Sequence, residues 1–258
     1  MITGGACPWV EGNLFRDGLG AGVLVTMKAT GVLRGNEFRG HAKTELQITD
    51  AGTHPLVERN VIHSSRAGGI LIFGGSSGLI RHNTVHSNVA ANVRLAESST
   101  ARIVGNTIRD GSDCGIACCS GCSSVLRDNT VTGHRKAGCI IYGKDTSPIM
   151  IKNVISGSGQ AGVYLYSHSK ATLEDNEIHS NSGPGILITE NAEPLVQRND
   201  IHSGDDAGVL AHQEGGGTLL HNNVYNNRTF GVVVLTGGKT KIRSKCAATQ
   251  SASYGARY

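Results

Sequence analysis

Residues 171–204 read ATLEDNEIHSNSGPGILITENAEPLVQRNDIHSG, and the pattern around Asn176 returns 23 residues later around Asn199. The same pattern continues in both directions along the chain. Ten asparagines follow it at intervals of 23 or 24 residues: Asn13, Asn36, Asn60, Asn83, Asn106, Asn129, Asn153, Asn176, Asn199 and Asn222. A constant period in this range is typical of stacked supersecondary units rather than of a globule with one central core.

Each repeat contains short alternating segments. An apolar residue lies three positions before each asparagine and another lies two positions after it, as Leu173 and Ile178 do around Asn176. Nine positions after the asparagine comes a small residue, usually glycine, and then an alternating segment such as 186–188. Alternation with period 2 predicts strands with one buried face, and no helical period appears. The sequence therefore predicts an all-β, right-handed parallel β-helix of about ten coils.

The asparagines suit the corners between strands. A sharp corner leaves backbone groups without partners, and such groups are costly when buried. An asparagine amide offers two donors and an acceptor, so it can bond to the corner and to the same asparagine one coil away. We therefore expect an internal asparagine ladder with a structural role.

The repeat also predicts the domain organisation. Residues 1–8 align with residues 71–78, so the chain opens in the middle of a coil, and the pattern fades after Ile242. We expect one β-helix over residues 1–245 and a polar tail or cap over residues 246–258.

Composition excludes several classes of partner. The net charge is only +4, and neither a run of basic residues nor basic and aromatic residues in alternation is present. Nucleic acid is therefore a weak candidate. The longest apolar runs have about four residues, too few for a membrane span.

The seven cysteines raise the question of a metal. Four of them crowd into one coil, at Cys114, Cys118, Cys119 and Cys122. Cys118 falls on an inward position, and a zinc site built from the other three would lack a fourth ligand. We therefore expect neither a metal nor a cofactor. An odd number of cysteines without a pairing framework favours reduced thiols and an intracellular location.

Outward columns are the places where function is expected, because the interior is packing. The middle position of the strand after the glycine reads Leu, Gln, Leu, Arg, Ala, Ile, Tyr, Leu, Leu, Val along the ten coils. Together with aromatic residues two positions further on, this column forms an apolar stripe, and such stripes mark interaction sites. The predicted partner-binding residues are Leu24, Leu71, Phe73, Ile140, Tyr142, Tyr164, Tyr166, Leu187, Leu210 and Val233.

A second outward column carries arginines and histidines three positions after each asparagine, including His63 and His86. No column of carboxylates accompanies it as a further set of ligands, so a solvated face or a contact for acidic partners is the better interpretation. The acidic pairs Asp110 with Asp113, Glu174 with Asp175, and Asp205 with Asp206 do not stand out from the repeat. We therefore predict that the chain is not an enzyme and assign no catalytic residue.

Four segments carry a resemblance to a known family: PLVERNVIHS (55–64), AGVYLY (161–166), ATLEDNEIHS (171–180) and PLVQRNDIHSG (194–204). They resemble the β-helix of the F-box-only substrate receptors, which belongs to a wider group of carbohydrate-binding and sugar-hydrolase-like repeats. The resemblance covers residues 2–245 and implies a β-helix that engages a target protein. An F-box and a zinc module are missing from this sequence.

These observations favour a scaffold β-helix that binds one or more proteins within a larger assembly. Two alternatives stay open. One is a β-helix that binds or modifies polysaccharide, as lyases and epimerases do. The other is the substrate-recognition fragment of an F-box ubiquitin ligase.

Overall fold

The computed structural model describes residues 1–243 and, as backbone alone, the strand Ala247–Thr249. These residues form short strands joined by turns, three strands to a coil, and contain no helix. No segment described is therefore a helix that could cross a membrane. Coils are numbered here by their asparagines, from coil one with Asn13 to coil ten with Asn222.

Three parallel sheets run along the length of the molecule, and each coil adds one strand to each sheet. The first sheet contains Trp9–Glu11, Val32–Arg34, Leu56–Glu58, Leu79–Arg81, Arg102–Val104, Val125–Arg127, Ile149–Ile151, Thr172–Glu174, Leu195–Gln197, Thr218–Leu220 and Lys241–Arg243. The second contains Leu14–Arg16, Glu37–Arg39, Val61–His63, Thr84–His86, Thr107–Arg109, Thr130–Thr132, Val154–Ser156, Glu177–His179, Asp200–His202, Asn223–Tyr225 and Ala247–Thr249. The third contains Val23–Val25, Leu46–Ile48, Ile70–Ile72, Val93–Leu95, Ile116–Cys119, Cys139–Tyr142, Val163–Tyr166, Ile186–Ile188, Val209–Ala211 and Val232–Val234. This architecture confirms the predicted parallel β-helix of about ten coils.

Equivalent residues of neighbouring coils lie directly beside each other. Arg94, for example, pairs with Leu71 on one side and Ala117 on the other. In the first two sheets the middle residue of each strand points into the core, as Leu173 and Ile178 do, both fully buried. In the third sheet the flanking residues are buried and the middle one faces outward. Each outward position therefore forms a column along the rod.

The asparagines form a continuous internal ladder at the corner between the first and second sheets. Asn153 Oδ1 accepts hydrogen bonds from the backbone N–H of Asn129 (3.0 Å) and from Asn129 Nδ2 (2.9 Å). Asn153 Nδ2 donates to the carbonyl of Leu126 (3.0 Å) and to Asn176 Oδ1 (2.9 Å). The amide thus satisfies backbone groups at the corner of the preceding coil and joins the asparagine side chain of the next coil.

Replacing one buried rung is expected to destabilise the rod. Asn153→Ala leaves two N–H donors and one carbonyl without partners, which we expect to cost about 1–3 kcal/mol of unfolding free energy. Urea unfolding measures the change. Asn13→Ala is the matched control, because Asn13 is an exposed first rung and should lose much less. Equal losses at the two positions would contradict the ladder's stabilising role.

A second polar ladder occupies the corner between the second and third sheets, five positions after each asparagine of the first ladder. Asn88 Oδ1 accepts from the backbone N–H of Ser65 (3.0 Å), and Asn181 Oδ1 accepts from that of Ser158 (3.0 Å). The position holds Gly, His, Ser or Asn in different coils, so the repeat pattern does not reveal it. In coil two it is His41, whose imidazole contacts the buried carboxylate of Glu45.

His134 is the member of this corner in coil six. Its side chain is 1% exposed, Nε2 accepts a hydrogen bond from Asn92 Nδ2 (3.1 Å), and Nδ1 has no partner. Burial lowers the pKa of His134 to about 4, with a small opposing effect of Asp110. The imidazole is therefore neutral in the folded chain at neutral pH.

The low pKa of His134 predicts a loss of stability in acid. The unfolded chain protonates this residue below about pH 6.5, whereas the folded chain does so only near pH 4. The contribution of His134 to the unfolding free energy is therefore fully present above about pH 6.5 and is lost as the pH falls to about 4. The loss amounts to about 3 kcal/mol. Urea unfolding between about pH 7 and about pH 4 measures this slope.

The matched variant is His134→Asn, because asparagine occupies the same corner position in other coils. It should unfold with a shallower dependence on pH over this range. If the variant and the original chain show the same slope, His134 is not the group responsible.

Candidate functional site

The outer face of the third sheet carries the predicted stripe. All ten predicted partner-binding residues, from Leu24 to Val233, lie on this face and are half-buried. The inward residues of the same strands are buried in coils one to nine, whereas Val234 in coil ten is exposed. That the stripe binds a partner protein stays a prediction.

A shallow cavity of about 390 Å³ opens on this face around coils three to seven. It forms where the outward column changes to small side chains, because Ala117 lies between Arg94 and Ile140 and Ala91 borders them. Four predicted residues line it, and turn residues that the column pattern does not reveal complete it. The groove is defined here by Leu71, Ala91, Arg94, Asp113, Cys114, Ala117, Lys136, Ile140, Tyr142 and Tyr166.

Arg94 is the cation within the groove. Its guanidinium is exposed, and Nη2 donates to the buried Sγ of Cys119 at 3.8 Å. Cys119 pairs in register with Tyr142, and its hydrogen bond with the Tyr142 phenol raises the pKa of that phenol to about 12, assisted by burial. One sulfur atom thus lies beneath both functional side chains and restrains them.

The tyrosines form a stack beside Arg94. The ring centroids of Tyr142 and Tyr166 are 5.1 Å apart with nearly parallel planes, and those of Tyr164 and Tyr166 are 4.6 Å apart. Burial raises the pKa of Tyr166 as well. At neutral pH the groove therefore offers protonated phenols next to a fixed guanidinium.

An ion pair closes the opposite end of the groove. Lys136 Nζ lies 2.9 Å from Asp113 Oδ1, and this contact raises the pKa of Lys136. Cys114 is buried beside the pair, and burial raises the pKa of its thiol to about 12. The Asp113 carboxylate is therefore partnered by Lys136, and Cys114 is a neutral thiol.

Other candidate carboxylates have partners outside the groove. Glu174 and Asp175 both contact Arg198, and Asp110 lies 2.5 Å from Arg109. These three carboxylates therefore form ion pairs on the surface.

The clustered cysteines are buried side chains. Cys118 and Cys122 belong to the core, whereas Cys119 lies on the outer side of the same strand. In the part of the chain that the structure describes, no group of three or more His, Cys, Asp or Glu residues is arranged to hold a metal ion. The intracellular location stays a prediction.

The histidines of the second sheet stack as their column predicts. The rings of His63 and His86 are 4.8 Å apart, and those of His179 and His202 are 5.2 Å apart. The Nδ1 atom of each ring contacts the hydroxyl of the serine that follows it in the sequence. These histidines form a regular surface ladder rather than a pocket.

A family model described as a right-handed β-helix region matches residues 2–154 and 146–256. The chain belongs to this right-handed β-helix family. The match agrees with the three parallel sheets and with the predicted handedness. No curated protein matches the sequence.

Several solved structures share the fold. The A-module of the Azotobacter vinelandii mannuronan C-5 epimerase AlgE4 is 12% identical, with a TM-score of 0.68 over 90% of this chain and 81% of that one. The periplasmic alginate epimerase AlgG is 12% identical, with a TM-score of 0.66 over 83% of this chain and 60% of that one. The enzymatically active domain of bacteriophage CBA120 tailspike protein 2 is 11% identical, with a TM-score of 0.62 over 83% and 42%.

These neighbours correct one expectation. The prediction that the chain is not an enzyme is wrong, because the solved structures with this fold are named as epimerases and as an enzymatically active domain. The family match shows the broader β-helix family and does not show the resemblance to F-box-only receptors. At such low identity the likeness itself extends to the fold alone.

Burial of Cys119 under Arg94 predicts a protected thiol. Alkylation of the native chain followed by peptide mass mapping should label the exposed Cys7 quickly and Cys119 slowly. Arg94→Ala should increase labelling of Cys119, whereas Arg135→Ala, which removes an exposed arginine outside the groove, should not. Equally rapid labelling of Cys7 and Cys119 in the unchanged chain would contradict the described packing.

Proposed function

We propose that the chain is an enzyme that acts on an acidic polysaccharide, bound in the groove of the third sheet with a uronate carboxylate on Arg94. The observation that carries this proposal is the combination of an exposed guanidinium, an apolar floor and two protonated phenols in one cavity. Saccharide units offer the matching groups, namely carboxylates, hydroxyls and apolar ring faces.

Arg94 is the recognition group for the acid. A guanidinium binds a carboxylate through two parallel hydrogen bonds. This geometry fixes the orientation of the sugar, and the guanidinium also neutralises the charge of the carboxylate. The side chains of Leu71, Ala117 and Ile140 surround the contact with apolar surface, which strengthens the electrostatic interaction. The Tyr166 hydroxyl can hydrogen-bond sugar oxygens, and so can the Tyr142 hydroxyl when its oxygen accepts from the Cys119 S–H.

The chemistry of the groove favours proton transfer over hydrolysis. Glycoside hydrolysis usually requires two carboxyl groups about 5–9.5 Å apart across the scissile bond. The carboxylate that lines this groove is Asp113, and Lys136 is its partner. Neutralising a uronate carboxylate with Arg94 instead makes the neighbouring C–H bond more acidic.

Epimerisation is the reaction that we assign to the groove. It removes one proton from the carbon next to the carboxylate, for which the Asp113 carboxylate in the groove is the candidate acceptor, and returns one from the Tyr142 phenol to the opposite side of that carbon. Exchange with solvent then restores the proton of Tyr142 and removes that of Asp113. Tyr142 is our candidate for the proton donor, because its high pKa keeps the phenol protonated at neutral pH. Two solved structures with the same fold are named as epimerases of mannuronan and alginate, which supports this choice.

The test uses polymannuronate and polygalacturonate with the purified full chain. Proton NMR in D₂O should report exchange at the carbon next to the carboxylate, and ultraviolet absorbance detects any unsaturated product of elimination. Arg94→Ala should reduce turnover about tenfold to a hundredfold, since a hydrogen bond to a charged group contributes about 1.5–3 kcal/mol. Tyr142→Phe should lower kcat more than it raises KM.

The matched control is Gln47→Ala, which changes the same outward column two coils away from Arg94, outside the groove. It should retain full turnover. The proposal fails if neither polymer is altered by the unchanged chain, or if Arg94→Ala and Gln47→Ala behave alike.

A further inference from the structure

The outer side of the first sheet and the corner that follows it carry arginines, away from the groove of the third sheet. One arginine occurs in each of five consecutive coils, two to six, and we call the set the arginine face: Arg34, Arg59, Arg81, Arg102 and Arg127. Arginine is concentrated in the N-terminal half of the chain as a whole, since eleven of the fifteen arginines fall within residues 1–135.

Two of these arginines are held rigidly by one buried carboxylate. Arg34 Nε and Arg81 Nε each lie 2.6 Å from an oxygen of Glu58, which is 3% exposed although it belongs to an outward column. The hydrogen bond from Arg81 leads the interactions that lower the pKa of Glu58, so the carboxylate stays ionised. The three groups together keep one positive charge and present two fixed guanidinium groups.

The other three arginines are exposed and carry their full charge. Arg59, Arg102 and Arg127 have no ion-pair partner among residues 1–243. One acidic residue, Asp128, directly follows Arg127 in the sequence and lies at the corner beside it. Counting Glu58 and Asp128 against the five arginines leaves a charge of +3 on this face when His82 is neutral.

The excess of positive charge does not continue along the rod. In coil seven the exposed Lys152 is the cation at the equivalent positions, and in coils eight and nine Glu174 and Asp175 share Arg198 as their partner. The arginine face is therefore a bounded patch rather than a general property of the surface.

We propose that the arginine face is a second binding site, for an acidic polysaccharide chain that lies along the rod. Neighbouring coils are about 4.8 Å apart, so the face offers about one guanidinium for each such step. This spacing is comparable to the length of one sugar residue, so successive acidic sugars can each meet a cation.

Nucleic acid fits this face less well. Proteins that bind single strands combine cations with aromatic side chains on which bases stack. In the five strands of the face from Val32–Arg34 to Val125–Arg127 the side chains are aliphatic, arginine or glutamate. Trp9 lies at the edge of the face, with the Arg34 guanidinium over its ring at 4.7 Å.

The choice of polysaccharide as the polyanion rests on the proposed function, whereas the site itself does not. The face would hold the polymer while the groove of the third sheet acts on another stretch of it or on another chain. Binding can be measured without turnover, so the two proposals can fail separately.

The test measures binding of a long polyuronate to the full chain with Arg94→Ala, which silences the groove. This variant should still bind, with an affinity that falls steeply with salt. Adding Arg59→Ser, Arg102→Ser and Arg127→Ser should weaken binding about tenfold or more and reduce the slope of log Kd against log salt by about 2. All three side chains are exposed, so the fold should persist, as thermal unfolding would verify.

The matched control adds Lys28→Ser, Lys144→Ser and Lys170→Ser, which remove the same charge from exposed positions elsewhere. It should bind almost as the Arg94→Ala chain does. Equal weakening by both triple variants would overturn the proposal, because net charge alone would then explain binding. Equal or tighter binding of a single-stranded DNA oligonucleotide would overturn the assignment to polysaccharide. Turnover of short uronate oligomers by the chain with intact Arg94 should be unaffected by the arginine triple variant.

Discussion

The amide ladder at the corner between the first and second sheets is the interaction on which the rest of this structure depends. The buried asparagines from Asn36 to Asn199 each join their coil to the coils on either side through hydrogen bonds of 2.9–3.1 Å, as Asn60 and Asn153 illustrate. Because the amide accepts from the backbone of the preceding coil, the coils cannot slip by one residue without leaving buried donors unpaired. The register of all three sheets follows from this constraint.

A strict register turns each outward position into a column, so a local substitution becomes a surface feature. Ala117 opens a cavity because Arg94 and Ile140, its neighbours in the column, have longer side chains. Glu58 becomes a buried carboxylate because Arg34 and Arg81 cover it from the coils above and below. The fold sets the distance between equivalent residues of neighbouring coils, and the side chains in the outward columns determine which chemical groups the surface presents. The groove and the arginine face both arise from substitutions in outward columns, the groove on the third sheet and the arginine face on the first.

The fold could be predicted from the sequence because the coils repeat the same local sequence pattern, which consists of an apolar residue, a corner asparagine and a small residue that is usually glycine. The groove could be predicted only in part. Tyr142 and Tyr166 stand out in their column, whereas Cys114 and Lys136 come from turns and meet them only through the stacking of coils. The role of Cys119 was hidden, because its burial depends on Arg94 one coil away. The expectation that the chain is not an enzyme rested on the absence of a motif that breaks the repeat, and the residues of the proposed site keep the repeat intact.

The most direct test of the groove is a crystal structure of the chain with a short uronate oligosaccharide. Our account predicts a sugar carboxylate within hydrogen-bond distance of both terminal nitrogens of Arg94, with the Tyr142 hydroxyl facing the carbon next to that carboxylate. An oligosaccharide bound elsewhere on the rod, or one in the groove whose carboxylate does not contact Arg94, would contradict the account.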